Sequence, residues 1–151
     1  MDAIDLGILS ELVGDGRITF SELASRIGLS GPSTAERVRR LEADGVVLGY
    51  SATLSPEAVG ADLAAFVSVT LVGPHVREAF VTSLADEPGV LELHHVAGDG
   101  DYLLKVRCAS TRELEQLVSE RIKGVEGVVR TRTTVVLSSV FERPLQAPSR
   151  A

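Results

Sequence analysis

A six-residue link, IGLSGP at positions 27–32, constrains this sequence most tightly. It separates two segments of helical pattern and is too short for anything but a sharp angle between them, as in a helix-turn-helix. The segment before it is capped by Thr19 or Ser21, carries Leu23, Ala24 and Ile27 on one side and stops at Gly28. The segment after it is capped by Ser30, tolerates Pro32 in its first turn, turns Thr34, Val38 and Leu41 inward and ends at Gly45. Upstream, residues 3–14 place Ile4, Ile8, Leu9 and Leu12 on one helical face, closed by the glycines of GDGR. Residues 1–45 therefore read as a three-helix domain.

The rest of the chain changes period. Residues 46–54, VVLGYSATL, have strand character with Gly49 as a bend, and SPEAVGADL after them reads as a hinge, so 46–62 is expected to be a β linker. Strands are then expected over 64–72, 90–97, 101–109 and 128–142, and helices over 75–86 and 110–124. That order, β-α-β-β-α-β over 63–142, is ferredoxin-like and makes the chain α+β; a disordered tail is expected over 143–151. Two small cores must be built from Val, Leu, Ile and Ala, because aromatics are only 4% of 151 residues.

The outer face of residues 30–44 carries the chemistry. Ser33, Glu36, Arg37 and Arg40 lie opposite the inward residues. Arginine can donate two hydrogen bonds to a guanine edge, and the free N–H groups beside Ser30 can take a phosphate. The expected contacts to double-stranded DNA are Ser30, Ser33, Thr34, Glu36, Arg37 and Arg40; Thr34 is included although its spacing also puts it with Val38 and Leu41. A net charge of −6 excludes a polybasic tail but not a local basic surface. Residues 1–54 hold five basic and eight acidic side chains, which predicts modest, salt-sensitive affinity per module. The pattern alone also fits a solvated amphipathic helix whose arginines pair with acids.

In the second half, the turn GDGD supplies exposed N–H groups at Gly98 and Gly100 and acceptors at Asp99 and Asp101. It could grip the carboxylate and amine of an amino acid, or be an ordinary hairpin turn. His94 and His95 are adjacent, so on a strand they point to opposite faces and cannot share a metal; pocket-lining or structural roles are expected. No metal site, cofactor or catalytic nucleophile set is expected, and the lone Cys108 reads as a buried strand residue. The acidic N-terminus lacks a signal peptide's basic flank, and no apolar run spans a bilayer, so a cytoplasmic protein without membrane contact is expected.

Residues 4–54 resemble the Lrp/AsnC (feast/famine) regulators. Asp5, Ile8, Leu9, the Asp15-Gly16-Arg17 turn, Glu22, Leu23, Ala24, the run Gly28-Leu29-Ser30, Arg37, Val38, Arg40, Leu41, Glu42 and Gly45 occur in the family's order and spacing. VAGDGDYLL and residues 131–136 extend the likeness into the family's RAM domain, which binds the effector. The resemblance implies a winged-type helix-turn-helix transcription regulator that dimerises by pairing sheets face to face and assembles further, often as an octamer. It also implies an amino-acid effector held between dimers. The resemblance singles out Gly98 and Asp101, with Thr131 and Thr133 by analogy; His95, Val96, Asp99 and Gly100 are expected beside them from their place at the turn. Two other readings share the fold: a decarboxylase of sirohaem-type tetrapyrroles, hinted at only by the two histidines, and a ligand-binding assembly protein without DNA binding.

Overall fold

The computed structural model describes residues 1–147. The end of the expected tail, 148–151, lies outside the described residues. The chain divides into two compact units, one built on Met1–Thr53 and the other on Leu54–Val140.

The first unit is three helices: α1 Ala3–Gly14, α2 Phe20–Ile27 and α3 Gly31–Ala43. Each start is chemically marked. Asp2 and Asp5 form a reciprocal capping box on α1, Thr19 and Glu22 form another on α2, and the Ser30 hydroxyl accepts the Ser33 N–H on α3. Gly28 ends α2 at φ +76°, a left-handed conformation that favours glycine, and its N–H closes on the Ala24 carbonyl. Only Gly28, Leu29 and Ser30 separate α2 from α3, as the link required. Ile8, Leu23, Val38 and Leu41 form the core, with Ile4, Leu12, Ile27 and Val47 packed around them. Each such fully buried aliphatic contributes roughly 1.5–3 kcal/mol.

The second unit is a four-stranded antiparallel sheet, order β2-β3-β1-β4, with strands β1 Leu63–Leu71, β2 Val90–His95, β3 Tyr102–Cys108 and β4 Val128–Val135. A 3-10 turn, Pro74–Val76, leads into α4 Arg77–Leu84. The second crossover is α5 Thr111–Gln116, capped by Ser110, which continues as a wider π-type turn over Leu117–Ile122. Ala65, Val67, Val69 and Leu71 of β1 and Tyr102, Leu104, Val106 and Cys108 of β3 bury one sheet face against Phe80, Leu84, Leu114, Leu117 and Ile122. This is the βαββαβ arrangement the alternating pattern predicted.

Two expected strands are corrected. Among the described residues no strand forms over 46–62: Leu48 is 94% exposed, and a strand exists only where a neighbour takes its hydrogen bonds. The last strand ends at Val135 rather than residue 142, because β1 begins at Leu63 and the final link is the Val136 N–H on the Ala64 carbonyl. β-branched composition marks extended chain; it does not supply the partner.

Candidate DNA-reading helix and effector turn

The face of α3 follows from helical geometry. Taking Thr34, Val38 and Leu41 as the inward direction, at about 100° per residue Arg37 is only about 65° away, Ser33 about 105°, Arg40 and Arg39 about 130° and Glu36 about 165°. Exposure obeys this order. Thr34 is buried, its hydroxyl donating to the Ser30 carbonyl at 3.0 Å. It is therefore corrected out of the outward set: its hydroxyl is satisfied inside the helix. Ser33, Glu36, Arg39 and Arg40 are exposed, whereas Arg37 is half-buried.

The Arg37 guanidinium is turned toward the start of α1. Its Nη1 donates at 2.8 Å to both Asp2 Oδ2 and Asp5 Oδ1. Arg40 reaches Asp5 as well, its Nη2 lying 3.1 and 3.2 Å from the two carboxylate oxygens, but its side chain stays 53% exposed. Asp5 is itself buried, and its Oδ2 also accepts the Asp2 N–H at 2.9 Å. Burial alone would raise its pKa; the Asp2 N–H and the Arg37 and Arg40 charges outweigh it and hold it below the usual carboxylate range. Sequence reasoning missed this network and missed Arg39, whose Nη1 is 3.6 Å from Glu36. The available signal was Asp5 itself, an acid set three residues before Ile8 inside an apolar stripe.

The hairpin turn between β2 and β3 is docked on the end of β1. The Asp101 N–H donates to the Val69 carbonyl, and the Ser68 hydroxyl donates to the Asp99 carbonyl at 3.0 Å. Gly100 sits at φ +121°, and a Cβ there would lie 2.6 Å from the Ser68 hydroxyl, so no larger residue fits without movement. The Asp101 carboxylate accepts the Leu71 N–H at 2.8 Å and lies 3.5 Å from Arg77. It is anchored to the fold rather than free, and Arg77 adds a cation beside the turn that the sequence reading did not identify.

Strand register distributes the other expected effector residues. His95, Tyr102, Val69 and Thr131 form one row across the sheet, and Leu93, Leu104, Val67 and Thr133 the next. His95, stacked 5.2 Å from Tyr102, is on one edge and Thr131 on the other. Three strand spacings of about 4.8 Å put them roughly 14 Å apart. Val96 closes the hairpin through its N–H to the Asp101 carbonyl. His95 and Thr131 are therefore too far apart to touch one small molecule within a single chain. His94 emerges on the opposite face from His95 and meets Glu92 at 2.9 Å, which also meets Lys105 at 3.3 Å. That open face holds a hollow of about 190 Å³, bordered by Phe66, Ser68, Asp99, Arg130 and Arg132.

A helix-turn-helix unit joined to a βαββαβ unit with a glycine-rich turn is the arrangement of DNA-binding regulators that carry their own ligand domain, and the comparisons with known proteins point to that class. Residues 1–47 match the winged helix-turn-helix DNA-binding family, and residues 64–146 match the Lrp/AsnC ligand binding domain. The chain is 45% identical over 141 residues to the HTH-type transcriptional regulator LrpA of Mycobacterium tuberculosis, covering 93% of each. It is 44% identical over 142 residues to the leucine-responsive regulatory protein of Escherichia coli K12, covering 93% of this chain and 87% of that one. A feast or famine regulatory protein of M. tuberculosis, solved with L-methionine, superposes with a TM-score of 0.90 at 44% identity, covering 97% of this chain and 99% of that one. The chain belongs to the Lrp/AsnC family of transcriptional regulators. Among the described residues no helix is long and apolar enough to cross a membrane.

Proposed function

We propose that this chain regulates transcription by laying α3 in the major groove of duplex DNA and that it responds to a free amino acid. The observation that carries the reading is the outer face of α3. Ser33, Glu36, Arg39 and Arg40 are exposed together on a helix capped at Ser30. In this reading the chain acts by binding rather than by catalysis, which its likeness to relatives named as transcriptional regulators supports.

The effector contacts proposed are His95, Val96, Gly98, Asp99 and Gly100 from one chain and Thr131 and Thr133 from a neighbour, with Asp101 fixing the turn. The separation of the two sheet edges supports a site shared between copies, which makes homo-oligomers, dimers and above, part of the mechanism. L-Methionine in the relative solved with it supports an amino acid as the ligand. An effector shifts the assembly only through unequal affinity for its states.

The test is an anisotropy titration on a duplex selected from a random library. Arg39→Ala/Arg40→Ala is expected to weaken binding at least tenfold while far-UV dichroism stays unchanged; wild-type affinity in that variant would refute the α3 assignment. For the effector, a thermal-shift series with the twenty amino acids is expected to raise the melting temperature for one or a few of them.

A further inference from the structure

Arg37 lies on the flank of a DNA-reading helix, and its guanidinium is engaged by two acids of the same unit. One nitrogen bridges two carboxylates, Asp2 at 2.8 Å and Asp5 at 2.8 Å, and the side chain is 25% exposed. Asp5 is the centre of the arrangement. Its side chain is 2% exposed, and it takes three donors: the Asp2 N–H, Arg37 and Arg40. An aspartate oxygen facing a guanidinium at this distance offers the chemistry that a DNA phosphate would offer.

We propose that Asp5 is a positioning residue for DNA recognition: it withholds Arg37 from the duplex and tethers Arg40 from one side, setting how many cations α3 presents to phosphates. This deepens the reading of α3 as the DNA-facing helix and rests on it. The consequence lies in specificity. Phosphate contacts add affinity to every sequence alike, whereas base-edge contacts discriminate. A helix that shows fewer free guanidiniums binds random DNA more weakly and keeps its preference for the right site. The net acidic balance of residues 1–54 works in the same direction.

The proposal is tested by salt titrations of the full chain on a random-sequence 40-base-pair duplex and on the selected operator. Asp5→Asn keeps the capping geometry and removes the charge. It is expected to bind the random duplex roughly tenfold more tightly at 0.1 M salt, with log K against log salt steeper by about one unit, and to lose preference for the operator. Arg37→Met is expected to leave that slope at its wild-type value, because Arg37 makes no phosphate contact. A folded Asp5→Asn with an unchanged slope overturns the proposal. So does an Arg37→Met whose slope is shallower by about one unit, and this second variant decides if the first fails to fold. A purely structural role would move the melting temperature and not the slope. If Arg39→Ala/Arg40→Ala binds as wild type, the reading of α3 itself fails; if that variant weakens and the Asp5→Asn slope stays at its wild-type value, only the role of Asp5 fails.

Discussion

Asp2 and Asp5 stay ionised further into acid than ordinary carboxylates. The Asp5 N–H and then Arg37 lower Asp2 to about 2 from an ordinary 3.8. Asp5 shifts the same way despite its burial, because the Asp2 N–H and the two arginines outweigh desolvation. Both folded pKa values lie below the unfolded ones, so the unfolded chain binds more protons in acid. The stabilisation is complete above about pH 4 and is lost as pH falls toward 2. Thermal melts between pH 5 and 2 are expected to show the helical unit losing stability over that window, and Asp5→Ala is expected to cost about 2 kcal/mol at pH 7. A second prediction belongs to Gly100. Its φ of +121° and the nearby Ser68 hydroxyl make Gly100→Ala destabilising by about 1–3 kcal/mol, readable by urea titration. The glycines and aspartates of this turn were legible in the sequence. That Asp101 secures the turn to β1 was not, because its partner, the Leu71 N–H, is thirty residues away in the chain.

At the scale of elements, the helices were read well because their signals are local. Caps at Thr19, Ser30 and Ser110, the stop at Gly28 and the apolar stripes all act within one turn. The strands were read well in kind and less well in extent, since a ladder ends where its neighbour ends, and Leu63 is invisible from Val135 in a linear pattern. The same locality explains Arg37. Its position on α3 puts it on the flank of the helix, and only the fold reveals that two acids near the N-terminus wait there. The Gly28 turn is the element on which the angle of α3 depends. Gly28→Ala, forced into φ +76°, is expected to destabilise by about 1 kcal/mol and to weaken operator binding beyond the loss of folded protein, measured by anisotropy at saturating folded fraction.

At the scale of the whole molecule, two separate cores divide the work. One holds α3 in shape, with Ile8, Val38 and Leu41 behind it; the other supports a docked glycine turn and a sheet with one covered and one open face. The open face, with Phe66 and Leu103 between Arg130, Arg132 and the Glu92 pair, is the surface on which face-to-face pairing of two copies is proposed. Sedimentation velocity is expected to show an oligomer, and Phe66→Lys to shift it toward monomer. Family likeness made the organisation readable before any coordinates; the charge network on α3 came only from packing.

The most direct measurement is an arginine Nε–H nuclear magnetic resonance titration of the full chain with its selected duplex. The account predicts that the Arg39 and Arg40 signals shift on DNA addition while the Arg37 signal, held by Asp2 and Asp5, stays in place. Unmoved signals for both Arg39 and Arg40 in a saturated complex would contradict it.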